Sequence, residues 1–317
     1  MIISSWNVRG MNDPLKQQEV LDFLRNNKVD CGAIVEAHVK EYSCMGVFLK
    51  RFGAYSLNPI TTHLTVLDRG AQFLHCMLLH RSSHRSILDT FVYAYNRATE
   101  RLDLWDKFRG FSIGVAIPWV CLGDFNVTLS SDERVGSVVR DNEMQAFRDC
   151  LHFCGLTDHP YTGGVFTWHN KQEASPKWAK LDRLLVNQLW FFQMPMTTVA
   201  FIPFRISDHA PVLLSAALSV NCHRPFRYLN CWALSSNFVG CWFDLFTFSK
   251  LRRLRGVLKS IHCTKFSDLR ARVAMARLRL NDCQLRLQAS PTCQLLLTEE
   301  KQLLGYYCNS PDFNDFN

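Results

Sequence analysis

Polar side chains capable of acid–base or metal chemistry recur at the ends of apolar, β-like runs in this sequence. These positions are held by Asn7, Glu36, Asp124 with Asn126, Asp182, and Asp208 with His209. One acid at such a position is common, because polar residues also form the turns that follow strands. Five such positions between residues 7 and 209 favour strand ends that converge on one polar site.

A cluster of carboxylates, amides and one imidazole suits Mg²⁺ chemistry on phosphate esters. Mg²⁺ binds oxygen ligands, commonly one or two carboxylates together with waters and substrate phosphates. An imidazole can stabilise charge on the phosphate, and an aspartate can position or activate the attacking water. A zinc or redox centre fits less well, because the candidate positions include a single histidine and no cysteine.

Hydrophobic patterning predicts the elements that hold these side chains. Strands are predicted over residues 2–8, 29–35, 87–95, 119–123, 165–169, 181–186, 199–204 and 212–217. Asp13 and Pro14 form a typical helix start, and Gly155 closes a second helix whose apolar face runs from Met144 to Cys154. The alternation of strands and helices over the first 220 residues predicts the α/β class.

Composition excludes several classes of protein. The 317 residues are 48% hydrophobic and 20% charged, as in a folded globular protein. Thirteen cysteines, an odd number without a Cys-x-x-Cys pair, indicate reduced thiols and no disulfide-linked partner. The first residues are too polar for a signal peptide, and the longest uncharged run, 184–204, contains Asn, Gln and Pro. We therefore expect an intracellular protein, nuclear or cytoplasmic, without a membrane span.

The positive charge is concentrated late in the chain. Of the net charge of +8, residues 250–286 carry eleven Lys and Arg against two acids, whereas residues 287–317 are acidic. A segment with a net charge of +9 binds phosphate backbones non-specifically through counterion release, although a solvated helix face explains it equally well. The charge distribution predicts two parts with different roles.

Seven motifs occur in the order found in the endonuclease/exonuclease/phosphatase superfamily. They are SWNVRGMN, EAHVK, VYAYN, LGDFNVTL, GGVFTWHN, KLDRLLVN and ISDHAPVLL. From Met1 to about Leu218, the chain resembles the endonuclease domain of plant non-LTR (LINE-type) retrotransposon polyproteins. The resemblance implies a DNase I-like, four-layer α/β-sandwich, in which two packed mixed β-sheets are flanked by helices. It also implies Mg²⁺-dependent nicking of DNA, with Mn²⁺ as an alternative metal.

The resemblance assigns metal and phosphate roles to matching residues. Glu36 is implied as the direct Mg²⁺ ligand, paired with Asn7, and Asp208 supports the metal side. Tyr95 is implied to contact the scissile phosphate. Positions that resemble those near the DNA backbone are Thr167, Ser207 and Arg134.

The remaining roles concern the attack on phosphorus. Asp124 is implied to orient or deprotonate the water, and Asn126 to hold the phosphate and Asp124. Asp182 is implied to orient His209, which stabilises the phosphorane.

The resemblance also divides the chain. Residues 1–220 correspond to the nuclease domain, with a strand and its turn missing near residues 56–64, which would leave backbone groups unpaired. Residues 221–317 resemble the basic helical connector that precedes a reverse transcriptase, and no polymerase motif follows. DNA is the expected partner, with RNA as a further partner of residues 250–286.

Two other functions remain open from the sequence. One is a catalytically decayed retrotransposon remnant that binds nucleic acid weakly, which the missing strand favours and the complete motif set opposes. The other is a phosphatase acting on small phosphoesters or lipid headgroups, because the superfamily shares its core site. The basic segment and the detailed likeness to retrotransposon proteins favour nucleic acid.

Overall fold

The computed structural model describes residues 1–37, 46–48, 52–56, 61–81, 83–138, 140–216 and 267–309. By its internal contacts the chain forms two compact units, residues 1–218 with 284–297, and residues 219–283 with 298–317. The predicted boundary at 220 lies close to the end of the longer part of the first unit. Residues 284–297, which the sequence assigns to the connector, belong to the first unit by contact.

Two large sheets and one small sheet form the first unit. In the described residues the seven-stranded sheet has the order β11-β15-β16-β1-β2-β4-β3 and the six-stranded sheet the order β10-β14-β8-β7-β6-β5. The first comprises β1 (Ile2–Asn7), β2 (Cys31–Val35), β3 (Gly46–Phe48), β4 (Phe52–Ser56), β11 (Thr162–Gly163), β15 (Thr197–Phe201) and β16 (Val212–Ala216). The second comprises β5 (Thr62–Arg69), β6 (Phe73–His80), β7 (Arg85–Tyr93), β8 (Trp119–Asp124), β10 (Leu156–Asp158) and β14 (Asp182–Asn187).

Shorter elements complete the description. The third sheet joins β12 (Trp168–His169), β13 (Trp178–Ala179) and β9 (Arg134–Val135). The helices are α1 (Pro14–Asn26), α2 (Leu102–Ser112), α3 (Asp141–Cys154), α4 (Gln188–Gln193), α5 (Ser267–Ala289) and α6 (Gln294–Asn309). None of these helices is both long and apolar enough to span a membrane.

Three hydrophobic clusters separate four layers. The largest lies between the two large sheets and is built from inward-facing residues of both, including Ile3, Val35, Leu122 and Leu214. A second packs α2 and α3 on the six-stranded sheet, and a third packs α1 on the seven-stranded sheet. The predicted four-layer α/β-sandwich is therefore confirmed.

Local signals in the sequence act where they were expected. Asp13 precedes α1, and its carboxylate accepts the Leu15 N–H at 2.9 Å, with Pro14 in the first turn. Gly155 ends α3 with a φ of 61°, in the left-handed region that favours glycine. The strand predicted over 87–95 ends earlier, at Tyr93, because the Tyr95 N–H bonds to the side chain of Gln72.

Both sheets are paired on either side of the predicted deletion. β2 pairs with β4 over five residues, and β5 pairs with β6 from Thr62 onwards. Residues 57–60, in the middle of the deletion, lie outside the described residues, as do residues 250–266 of the basic segment. The lost strand and the connector role of residues 221–317 stay predictions.

One acid lies inside the core between the sheets. Asp89 on β7 is fully buried, and neither carboxylate oxygen has a hydrogen-bond partner among the described residues. Burial raises the pKa of Asp89 well above its ordinary value, because no nearby positive charge compensates the ionised form. Folding therefore favours the protonated acid. The stability that results is full below about pH 4 and is lost as pH rises towards the folded-state pKa.

We predict that Asp89→Asn stabilises the protein increasingly as the pH rises, because a neutral amide replaces a carboxylate that must stay protonated. The thermal midpoint should rise by at least about 3 °C at pH 8 and by clearly less at pH 5. Thermal unfolding by circular dichroism measures both values. Asp103→Asn, at an exposed position on α2, is the matched control. A lower midpoint at pH 8 would show that the Asp89 carboxylate is ionised and partnered.

Candidate active site

The candidate site lies where strand ends from both large sheets meet. β1 and β2 run parallel, as do β7 and β8, so their carboxyl ends lie together at the same edge of their sheets. In the six-stranded sheet, Asp124 is in register with Tyr93 on one side and Asp182 on the other. An Asn7 Nδ2 donor to Asp124 Oδ2 at 3.1 Å joins the two sheets at this point. The predicted convergence of strand ends is present.

Asp124 is held by donors on both of its oxygens. Its Oδ1 accepts the Asn126 N–H at 3.0 Å, and its Oδ2 accepts Nδ2 of Asn7 and, at 3.4 Å, Nδ2 of Asn126. Gly123 brings this strand close to β7. With a φ of 138°, an added Cβ there would stand 2.1 Å from the Val92 carbonyl oxygen. Glycine before Asp124 is therefore a steric requirement of the site.

His209 lies between two buried carboxylates. Its Nδ1 is 2.9 Å from Asp182 Oδ2, and its Nε2 is 3.8 Å from Asp124 Oδ2. Burial alone would lower the pKa of His209. The charges of Asp182, Asp124 and Asp208 outweigh burial, and together with the hydrogen bond to Asp182 they raise the pKa to about 9. The imidazole is therefore a cation at neutral pH, with an N–H directed to each side.

The same environment raises the pKa of the Asp124 carboxyl above that of an acid at the surface. Burial raises its pKa to about 7, and the nearby Asp182 charge adds to this effect, while His209 and the donors Asn126 and Asn7 oppose it. A carboxylate whose pKa lies near neutral pH can accept a proton and release it again. That property suits a general base.

The predicted metal residues form the neighbouring part of the site. Glu36 Oε2 lies 3.7 Å from Arg9 Nε, and the same guanidinium donates to Asp208 Oδ2. The Tyr93 hydroxyl donates to Glu36 Oε1. Trp168 Nε1 adds a donor to Asp208 Oδ2 at 3.1 Å. Two carboxylates on different elements thus share one positive charge.

These residues fit a divalent cation of the magnesium class. Glu36 and the Asn7 amide supply oxygen atoms at one cavity of about 290 Å³. The Asp208 carboxylate shares Arg9 with Glu36, and the position of Arg9 marks the place as favourable for positive charge. A second group of ligand atoms, from Asp124, Asp182 and His209, lies within 4.8 Å of one another. In that group the imidazole is already hydrogen-bonded to Asp182, so the oxygen-rich Glu36 side fits the cation better.

Backbone strain is concentrated at the same place. Arg9, Glu36 and Asn126 have φ values of 47°, 54° and 51°, in the left-handed region that costs non-glycine residues energy. Backbone bonds between the two segments offset the strain, since Gly10 N–H donates to Glu36 O at 2.6 Å. The chain therefore turns sharply where it presents Glu36 and Asn126.

Four further predicted residues lie at or near the cavity or behind it. Tyr95 is half-buried, with its backbone bonded to Gln72 and Arg101, and its contact with the phosphate stays a prediction. Tyr93, two residues earlier, donates to Glu36. Arg134 lines the cavity, and its contact with the DNA backbone stays a prediction. Thr167 and Ser207 are fully buried, so their side chains are not exposed where DNA could contact them. Their hydroxyl groups bond to the backbone of neighbouring strands and loops.

Sequence reasoning missed four residues of the site, and part of this could have been avoided. The cavity lining includes Arg9, Asn96 and Trp168, and Tyr93 contacts Glu36. Tyr93 is the last residue of its strand, so the strand-end rule that selected Glu36 would have found it had the strand not been extended to Tyr95. Arg9 and Trp168 carry no such signal.

Comparison with known proteins gives a family. The sequence profile described as "Endonuclease/Exonuclease/phosphatase family" matches residues 4–209. No curated protein sequence matches the chain.

The chain is similar to several solved structures. The endonuclease domain of TRAS1, a telomere-specific non-LTR retrotransposon, superposes with a TM-score of 0.51 at 14% identity, covering 69% of this chain and 99% of that one. A humanised D. rerio TDP2 gives 0.46 at 15% identity, with 68% and 97% covered. A mannosyl-6-phosphatase of Bacteroides thetaiotaomicron gives 0.43 at 13% identity, with 69% and 100% covered. The first of these likenesses places the fold, and the predicted resemblance to retrotransposon endonucleases is confirmed at that level.

We predict that Asp182→Asn lowers the pKa of His209, because it removes one of the carboxylates whose charge opposes the effect of burial. A pH titration of the imidazole by NMR measures the shift, with His209→Gln identifying the signal. The stability contributed by the charged imidazole is full below pH 6.5 and is lost as pH rises through about 9. Asp182→Asn should therefore cost more stability at pH 6 than at pH 10. An unshifted titration would contradict the pairing, and Asp149→Asn, at an exposed position on α3, is the control.

Proposed function

The chain belongs to the endonuclease/exonuclease/phosphatase family, and from this membership we propose that it is a metal-dependent phosphodiesterase that nicks DNA. The observation that carries the proposal is the buried imidazolium of His209 held between Asp182 and Asp124 beside a cavity lined by Glu36 and Asn7. Phosphoryl chemistry needs fixed positive charge at the phosphate and a base for the water, and this arrangement supplies both.

His209 acts as the charge stabiliser. Its Nδ1–H is fixed by Asp182, so the ring cannot turn, and its Nε2–H is directed towards Asp124 and the cavity. A phosphate oxygen that enters between His209 and Asp124 meets an N–H donor that carries full positive charge. Charge-assisted hydrogen bonds of this kind strengthen as negative charge grows in the transition state.

Asp124 receives the proton of the attacking water. Asn126 and Asn7 donate to its oxygens and fix the plane of the carboxylate, so its remaining lone pairs are directed towards the cavity. The raised pKa keeps the group basic enough to accept a proton near neutral pH. Glu36, Asn7 and Asp208 would hold the cation. When bound, Mg²⁺ supplies Lewis acidity and charge neutralisation at the scissile phosphate.

Basic residues beside the cavity support an extended phosphate backbone as substrate. Arg9 and Arg134 line the cavity, and Lys16 donates to the Arg9 carbonyl oxygen at 3.1 Å. Burial lowers the pKa of Lys16, and the nearby positive charge of Lys171 lowers it further. Several cations therefore lie close together on this side of the molecule. A small phosphoester carries no further phosphate to contact these cations, whereas a DNA strand carries phosphates on both sides of the cleaved bond. Contact of residues 250–286 with RNA stays a prediction.

We predict that Asp124→Ala and His209→Ala each reduce Mg²⁺-dependent nicking by about a hundredfold or more, since each removes a group that acts on the reacting phosphate. Conversion of supercoiled to open-circular plasmid measures the rate, with EDTA as the blank and Asp103→Asn as the control. Circular dichroism checks that both variants stay folded. A variant that nicks at the parental rate would exclude its residue from the mechanism. Hydrolysis of p-nitrophenyl phosphate without nicking would instead indicate a phosphatase.

We predict that Glu36→Gln raises the Mg²⁺ concentration needed for half-maximal nicking by about tenfold, because a neutral amide replaces a charged ligand. Alkylation of accessible thiols should leave nicking unchanged, since six of the seven cysteines in the described residues are buried and none lies at the cavity. Glu133→Gln would be a poor control, because Glu133 pairs with buried Arg183. Glu100→Gln, at an exposed position before α2, is the suitable one. If alkylation abolished nicking and Glu36→Gln left the Mg²⁺ requirement unchanged, the metal would have to bind at other residues.

A further inference from the structure

The last turns of α5 bind the backbone of two loops that lead into the site. Gln288 accepts the Phe166 N–H at its Oε1 (2.9 Å) and donates from Nε2 to the Phe166 carbonyl oxygen (2.7 Å). Gln284 accepts the Arg205 N–H at 3.2 Å and donates to the Arg205 carbonyl oxygen at 3.5 Å. Each glutamine therefore satisfies both backbone groups of one loop residue, as a neighbouring strand would.

The first of these loops leads directly to Asp182. Phe166 precedes Thr167, whose hydroxyl oxygen accepts the N–H groups of Leu181 at 3.0 Å and Asp182 at 2.8 Å. The Thr167 carbonyl oxygen accepts the Ala210 N–H at 2.8 Å, next to His209. Displacement of Phe166 would therefore move the support of both partners in the Asp182–His209 pair.

The second loop leads to His209 from the other side. Arg205 stands two residues before Ser207, whose hydroxyl donates to the Asn7 carbonyl oxygen at 2.7 Å and accepts the His209 N–H at 3.2 Å. This loop thus joins the end of β1 to His209. Thr167 and Ser207, expected from the sequence to lie near DNA, are the residues that transmit the position of both loops.

The approach of α5 to the loops is close. Gln284 and Gln288 are four residues apart and so lie on one helix face, with Leu287 fully buried beside them. At Gly164 an added Cβ would stand 2.4 Å from Gln288 Cδ, so only glycine lets the amide reach Phe166. After the helix, the Pro291 carbonyl oxygen accepts the indole N–H of buried Trp178 at 2.7 Å. The segment 284–291 is thus fixed at three places.

We propose that Gln284 and Gln288 are positioning residues of the hydrolase, and that residues 284–291 complete its active site. The two amides hold Phe166 and Arg205, and through Thr167 and Ser207 they fix Asp182 and His209 in the geometry that reaction requires. The catalytic consequence rests on the proposed function, whereas the contact itself does not.

The test uses full-length variants that remove the amides but keep the side-chain length. In Gln288→Met the Phe166 amide should exchange with deuterium about tenfold faster, and in Gln284→Met the Arg205 amide should do so, because each loses its acceptor. NMR or fragment-resolved mass spectrometry reads the two sites separately. Thermal midpoints should fall by a few degrees only, because each variant leaves the two backbone groups of one residue unpaired while the rest of the fold is kept. For plasmid nicking, kcat should fall about tenfold with KM nearly unchanged, since small displacements of reacting groups slow the chemical step more than binding.

Two further variants separate positioning from simple packing. Gly164→Ala keeps both glutamines but displaces the Gln288 amide, so it should reproduce the faster exchange at Phe166. Gln294→Met is the matched control, because the Gln294 amide donates to the Glu173 carbonyl oxygen in a different loop. It should leave both amides and kcat unchanged.

The outcomes are distinct. Unchanged exchange at Phe166 and Arg205 would overturn the contact, and faster exchange with an unchanged kcat would overturn the positioning role. If the parental protein does not nick DNA but the variants still show faster exchange, the contact is supported and the proposed function is contradicted.

Discussion

The rest of this structure depends on three charged groups that are buried together. Asp124, His209 and Asp182 are each almost fully shielded from water, and each is tolerable there only because the other two are present. Removal of one partner from such a group leaves an uncompensated charge, which typically costs about 3–5 kcal/mol. The two acids come from neighbouring strands of one sheet, but the imidazole comes from a loop that leaves the other sheet. The sandwich must therefore hold that loop accurately, and Thr167 and Ser207 are buried because they do so.

The Glu36 side of the site is arranged differently, because it remains open to solvent and carries strained backbone. Arg9 is exposed over about half of its side chain, yet it pairs with both Glu36 and Asp208. A guanidinium in that place compensates the carboxylates before a metal arrives. If Glu36 and Asp208 hold the metal as proposed, metal entry releases Arg9, and the apparent metal affinity then reflects a competition between two cations. The left-handed φ values at Arg9 and Glu36 indicate that the fold fixes the carboxylate even without the metal.

Much of the fold and half of the site follow from local sequence signals. Alternating strands and helices gave the class, and the helix starts and ends at Asp13 and Gly155 lie as the capping rules predict. Polar residues after apolar runs identified Asn7, Glu36 and Asp124, because parallel strands bring their carboxyl ends to one edge. Asp182 begins β14 and His209 lies just before β16, and the antiparallel pairing of these strands with β8 and β1 brings both residues to the same edge. Contacts between distant residues could not be read in this way. Neither the pairing of Arg9 with Asp208 nor the bond from Gln288 to Phe166 leaves a periodic or compositional trace, and a strand end placed two residues late was enough to miss Tyr93.

The distance along the chain between Phe166 and Gln288 has a consequence for synthesis. The two residues are 122 positions apart, although their amide groups are in hydrogen-bond contact. At roughly 5–20 residues per second, a ribosome needs on the order of ten seconds to deliver the second after the first. During that interval the sheets of the nascent sandwich can pack, while the loops at Phe166 and Arg205 still lack their hydrogen bonds to Gln288 and Gln284. The protein would acquire its fold first and the full geometry of its candidate site only afterwards, once the helix leaves the exit tunnel.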